Sequence, residues 1–382
     1  MYVKVHRLFE ILLQTTAKNP EAAVGFSLSA SPKLGDFLAE LAPDLSLDWS
    51  GQSFQGMPAL REHVLRVGGM SNCRLEDILV TAGAAEANFL AIMQLVQPGD
   101  EMVVESPGWP QPLVLGEAIG ATVRPLRRRE EQGWAFDLAE LEALVTPKTR
   151  LIFLTNPNNP TGHLLSAEEL GRVAEIAARV GAYLLVDEVY AGLEWAAGRS
   201  PSVADLYERG ITTGSVSKAL GLQGLRTGWL VCRDPKLVSD AVVLRENSSE
   251  IMNVLGEAVA EIALRPERYR AALDRAREEG RANLALLERF VSSRPELSWV
   301  APRAGLIGLA RLSGIDSDAL SEAMLEPPFK TLVIPGSAYG LSQHIRLGVG
   351  GGAAANLEEG LRRLGRFLDG VQGQTQGAPA SP

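Results

Sequence analysis

Residues Leu151–Tyr190 read LIFLTNPNNPTGHLLSAEELGRVAEIAARVGAYLLVDEVY. The apolar run Leu151–Leu154 is too short for a helix and shows no alternation, the pattern of a strand buried on both faces. Prolines and asparagines in Thr155–Gly162 then force a turn and set an amide side chain at a strand end. A helix follows: Ser166 with Glu169 three residues on makes a capping box, and Gly181 closes it. A second apolar run, Leu184–Val186, ends on Asp187. Strand, helix and strand in this order imply a mostly parallel sheet covered on both faces.

The same alternation extends over residues 50–235. Short apolar runs, DILVTAG, DEMVVES, TRLIFLTNP, AYLLVDEVY and GWLVCRD, read as buried strands, with helical stretches such as EANFLAIMQLV between them. The expected fold class is α/β, a large domain with a mostly parallel sheet between helices plus a smaller α+β C-terminal domain. Residues 1–45 read as an N-terminal arm, 46–260 as the large domain and 261–368 as the small one. Residues from about 250 to 290 read as one long helix with a solvated charged face. The Gly-, Gln- and Pro-rich stretch 369–382 reads as a disordered tail.

Composition narrows the function. The 382 residues are 46% hydrophobic with a formal net charge of −9, so no basic field invites nucleic acid or an anionic membrane. No apolar run is long enough for a membrane span, and the N-terminus lacks the pattern of a secretory leader. Cys73 and Cys232 stand far apart without CxxC spacing, which fits a reducing cytoplasm. His6, His63, His163 and His344 form no metal-ligand spacing, so no metal is expected.

The chemistry-bearing residues fall at strand ends, where α/β sheets gather their sites. Asp187 closes a run of aliphatics, where an unpaired carboxylate is expensive and a cationic partner is needed. Tyr190 lies three residues on. Lys218, in SVSKALGLQGLRTG (Ser215–Gly228), has small and hydroxyl neighbours and Arg226 eight residues later. In VTAGAAEANFL a glycine turn enters a helix whose free N–H groups suit a phosphate.

In this order and spacing, NPTG, D-x-x-Y and S-x-S-K with its arginine resemble the fold-type I, pyridoxal-phosphate-dependent aminotransferases of class I/II, over roughly residues 25 to 368. The resemblance implies pyridoxal 5′-phosphate as cofactor and a Schiff base at Lys218, the catalytic residue. It places Ser215, Arg226 and the backbone of Ala84 and Ala85 on the phosphate, and Asp187 on the pyridine nitrogen. Asn159 and Tyr190 fall on the ring hydroxyl, and Trp109 is stacked on the ring. Arg346, with Asn159, falls on the substrate carboxylate side. The implied reaction moves an amino group from an L-amino acid to a 2-oxo acid in a cytoplasmic homodimer. Two alternatives accompany it: a lyase or cyclase using the same cofactor chemistry, and a non-catalytic regulator, which would need a basic DNA-binding module. The chain departs from the pattern at Gly51, where a tyrosine is usual, and at Ala85, where a hydroxyl residue is common.

Overall fold

The computed structural model describes residues 2–48, 53–196, 198–351 and 356–376. Gly51, with the neighbouring Trp49, lies outside the described residues. The central sheet has seven strands: β1 (Ile78–Thr81), β2 (Glu101–Ser106), β3 (Thr122–Arg127), β4 (Thr149–Thr155), β5 (Tyr183–Asp187), β6 (Gly210–Ser215) and β7 (Gly228–Cys232). Their spatial order is β1-β7-β6-β5-β4-β2-β3. Only β7 runs antiparallel to its neighbours; the other pairings are parallel.

Both faces of this sheet are covered, which is why Leu151–Leu154 is apolar without alternation. Leu151, Phe153 and Leu185 pack on one side with Ala87, Leu90 and Ala91 of a helix spanning Ala84–Leu95. Ile152, Leu154, Leu184 and Val186 pack on the other with Leu170, Val173 and Ala177 of the helix Ala167–Val180. The Ser166–Glu169 capping box is present, and Gly181 takes the left-handed conformation that ends this helix. Thr155 lies opposite Asp187, and Asp187 opposite Thr213, so β4, β5 and β6 finish side by side.

A second, antiparallel sheet is built from β8 (Leu297–Trp299), β9 (Ile307–Leu312), β10 (Ile334–Pro335) and β11 (His344–Gly348), in the order β10-β11-β9-β8. The N-terminal segment joins this half: Ala22–Ala23 pair in parallel with Thr331–Leu332, and Val24 enters its apolar cluster. No helix among the described residues is long and apolar enough to cross a membrane.

Two expectations need correction. The single helix over 250–290 is two, Val254–Ala263 and Pro266–Ser292, because Pro266 lacks the N–H that would continue the first. The coil expected from residue 369 is helical as far as Gln376. Leu361, Leu364 and Leu368 bury a stripe of that last helix, and Asp369 is held by Arg294, so the next turns follow from an anchored one.

The two-sided packing predicts a ranking. Phe153→Ala removes a fully buried ring from the sheet's centre and should cost about 3–5 kcal/mol. Ser166→Ala removes a cap on an exposed turn and should cost about 1 kcal/mol. Urea unfolding of the two variants checks the order; equal losses would mean that Phe153 is not a core contact.

Candidate active site

The ends of β4, β5 and β6 open on one cleft. It is lined by Ala84 and Ala85, by Trp109 and Asn159 from the loops after β2 and β4, by Asp187 and Tyr190, and by Ser215, Lys218 and Arg226. Every residue the sequence reading assigns to a cofactor is therefore in one place. Arg346 is not among the lining residues, but its charge is felt at both Lys218 and Tyr190.

At one end the cleft offers anion-binding groups. Gly83 precedes the helix Ala84–Leu95 at φ 84°, with no side chain capping the helix. The N–H groups of Ala84 and Ala85 have no backbone acceptor among the described residues. They stand at the positive end of the helix dipole. Arg226, itself at φ 51°, donates to the carbonyls of Ala82 and Gln223, both at 3.2 Å. Its guanidinium lies so close to Gly83 that a Cβ there would meet Nη2 at 2.5 Å. Gly228 is equally confined: a Cβ would sit 2.6 Å from the Gly214 carbonyl and 2.7 Å from the Ala84 nitrogen. Glycine at these two positions lets three backbone segments converge on one spot.

Deeper in, Asp187 is buried and raised to about 6, first because burial disfavours its charge. Asn88 Nδ2 donates to its Oδ2 at 2.8 Å and the Val189 N–H to its Oδ1 at 3.1 Å; both favour the ionised form, as does the charge on Lys218. Tyr190 is fully buried, and among the described residues neither its hydroxyl nor the Asn159 side-chain oxygen has a hydrogen-bond partner. Trp109 is oriented by its Nε1 donating to Gln111 Oε1 at 3.2 Å, while Gln111 Nε2 donates to the Ala85 carbonyl at 2.8 Å.

Lys218 Nζ donates to Ser27 Oγ at 3.4 Å and lies 5.8 Å from the centre of the Tyr190 ring. Burial, then Arg346 and Arg226, push its amine down to about 8, against the pull of Asp187. Arg346 is buried, its Nε and Nη2 donating to the Gly25 carbonyl at 3.1 and 2.7 Å and its Nη1 to the Tyr339 hydroxyl at 2.7 Å. A guanidinium has five N–H bonds, so one remains on each terminal nitrogen, a fork matched to a carboxylate.

Among the described residues, none of Lys218, Arg226, Arg346 and Asp187 forms an ion pair with a protein group. Three basic side chains without a protein counter-ion fit anionic ligand groups, and a carboxylate without one fits a ligand cation or N–H donor. The Tyr190 hydroxyl can donate to a ligand oxygen, and the Asn159 amide oxygen fits a ligand donor such as a hydroxyl. This donor set matches pyridoxal phosphate: a phosphate for the helix end and Arg226, a ring nitrogen for Asp187, a ring oxygen for Tyr190 and Asn159.

Comparison with known proteins agrees. Residues 50–364 match the model of the aminotransferase class I and II family. The chain belongs to that family. It is a pyridoxal-phosphate-dependent enzyme. Among its relatives is a capreomycidine synthase of Streptomyces vinaceus, 31% identical over 77% of this chain and 76% of that protein. An arginine–pyruvate transaminase of Pseudomonas aeruginosa is 30% identical over 78% and 76%. The fold superposes on a PLP-dependent aminotransferase structure from Streptococcus suis with a TM-score of 0.87, at 28% identity, covering 97% of this chain and 98% of that one.

The sequence reading misses Asn88, Gln111, Ser27 and Tyr339. Asn88 left a trace: it is one of three polar residues in EANFLAIMQLV and stands one turn beyond the glycine turn.

The depressed Lys218 amine yields a stability prediction. Its folded pKa of about 8 lies below the ordinary 10.5, so the unfolded chain binds more protons between those values. Burying Lys218 therefore costs stability in full at pH 7, and the cost disappears as pH rises through that window. Lys218→Met apoprotein should melt above wild-type apoprotein at pH 7 and lose the advantage by pH 10.5. An equal gain at both pH values in thermal melts would assign it to packing rather than charge.

Proposed function

We propose that the protein transfers the amino group of an L-amino acid to a 2-oxo acid by a ping-pong route, as a cytoplasmic homodimer, with Lys218 as the catalytic base. The observation that carries the reading is the cleft lined by Lys218, Arg226 and Asp187, with Arg346 bearing on it from outside the lining; among the described residues none of the four has a protein counter-ion.

Arg226, the Ala84 and Ala85 N–H groups and the Ser215 hydroxyl would hold the phosphate. Asp187 would keep the ring nitrogen protonated, and Tyr190 with Asn159 would bond the ring oxygen. Trp109 would cover the ring face. Bound pyridoxal phosphate supplies an electron sink for the pair left behind when a substrate Cα loses its proton. The chain's own residues do the rest. Arg346 binds the substrate carboxylate with its remaining N–H pair and so fixes the direction of the Cα–H bond. Lys218 Nζ takes the Cα proton; an amine lowered to about 8 is unprotonated often enough near neutrality to serve as that base. The cleft-lining residues given no cofactor role, among them Leu28, Thr155, Val189, Ser217 and Gln223, carry no charge. An amino acid with a side-chain carboxylate would gain no ion pair from them.

A second reading is favoured by one comparison. A relative at 31% identity is named a capreomycidine synthase, so elimination or cyclisation on the same groups is the alternative. Incubation with the proteinogenic amino acids and pyruvate or 2-oxoglutarate separates the two. Transfer consumes the 2-oxo acid in proportion to the amino donor; elimination or cyclisation leaves it untouched.

Borohydride reduction of the holoenzyme should fix the cofactor on Lys218, read by peptide mapping; a label on another lysine would end the proposal. Arg346→Lys keeps the charge without the fork and should weaken amino-acid binding, and Arg346→Leu should weaken it by about 2–5 kcal/mol. Amines lacking a carboxylate should bind both variants nearly as they bind wild type. Parallel losses for both ligand types would make Arg346 a fold residue.

A further inference from the structure

We infer that Asn88 is a positioning residue for the acid that faces the cofactor: its Nδ2 holds the Asp187 carboxylate in one orientation, and the Thr213 hydroxyl satisfies the other end of its amide. The inference rests on the reading of Asp187 as partner of the ring nitrogen.

Asn88 is 1% exposed, inside a helix whose buried positions are otherwise mainly Ala, Leu and Ile. A buried amide with an unmet end is costly, so its partners explain its presence. Nδ2 donates to Asp187 Oδ2 at 2.8 Å and lies 3.5 Å from Gln111 Oε1, while Oδ1 accepts from Thr213 Oγ1 at 2.7 Å. Flipping the amide would set its oxygen against the carboxylate oxygen, acceptor to acceptor. The order Thr213, Asn88, Asp187 is therefore directional, and it ties the helix to β6 and β5.

The arrangement suits the acid's task. Asp187 must remain ionised while buried, yet keep a lone pair free for a ring N–H. Two neutral donors, Asn88 and the Val189 N–H, occupy one site on each oxygen and bring no competing cation. The charged groups felt at Asp187 are Lys218, which favours ionisation, and Glu105, which opposes it. Glu105 is itself paired with Arg128, both fully buried. The Asn88 hydrogen bond favours the ionised acid.

The test needs no turnover. Wild-type, Asn88→Leu, Thr213→Val, Asp187→Ala and Asn88→Leu/Asp187→Ala apoproteins are titrated with pyridoxal phosphate between pH 5 and 8, read by absorbance and intrinsic fluorescence. Asn88→Leu should weaken binding at pH 7.5 about ten- to a hundredfold, the range of a hydrogen bond to a charged group. It should also move the acidic limb of the affinity profile upward by about one pH unit. Thr213→Val should shift both in the same direction by less. In the Asp187→Ala background Asn88→Leu should add little, because its partner is gone. An equal loss in both backgrounds, or an unmoved acidic limb, overturns the inference. If Asp187→Ala itself leaves affinity and limb unchanged, the Asp187 reading fails instead. Should circular dichroism show that Asn88→Leu does not fold, Thr213→Val decides: an unmoved limb overturns the inference.

Discussion

A carboxylate at the end of a fully buried parallel strand is held against a steep desolvation cost, and much of this molecule is arranged around that one group. Asp187 ends β5 with β4 on one side and β6 on the other, so water cannot reach it through the sheet. Its donors come from elsewhere: a helix side chain and the backbone two residues on. The helix that sends Asn88 toward Asp187 also presents its N-terminus to the same cleft. One element thereby serves both an acid and an anion site, and its placement is fixed by packing against Phe153 and Leu185.

The electrostatic state of the cleft follows from the same burial. Lys218 is lowered and Asp187 raised, each toward neutrality, because neither has a full counter-ion in the protein. Arg226 and Arg346 add two planar guanidinium forks whose geometry matches an anion. Polar groups left unmatched in the folded chain are tolerated when a ligand completes them, and the stability forgone becomes binding energy. The oxygens of Tyr190 and Asn159 belong to the same account.

How much of this was legible depended on whether a residue's neighbours are local. LIFL and YLLVD announce themselves because both faces of the central sheet are covered. GITTGS, the strand β6, does not: its Thr212 and Thr213 point hydroxyls at Glu188 and Asn88, so a buried strand reads as a polar turn. TVRPLR, the strand β3, is hidden for the opposite reason, since it lies at the sheet edge where Pro125 and partial exposure erase the pattern. Lys218, Asp187 and Arg226 were legible through spacing with NPTG. Asn88 was not, because its role depends on a residue far along the chain, and a single asparagine in a helix carries no signature of its partner. The long charged helix expected over 250–290 is present but starts later, at Pro266, a breaker that lay in view at the head of the charged stretch.

The N-terminal segment gives the molecule a temporal order. Gly25 accepts from Arg346, and Ser27 accepts from Lys218, so a few neighbouring residues touch groups 321 and 191 residues further along the chain. Contacts of such sequence separation are late to form, because the intervening chain must be closed first. The anion-binding end closes a shorter loop, Arg226 reaching Ala82 across 144 residues against 321 between Arg346 and Gly25. During folding, or emergence from a ribosome, a pocket able to hold the cofactor can therefore precede one able to grip a substrate. The enzyme would acquire its chemistry before its selectivity, and the two ends of the chain meet at the step that joins them.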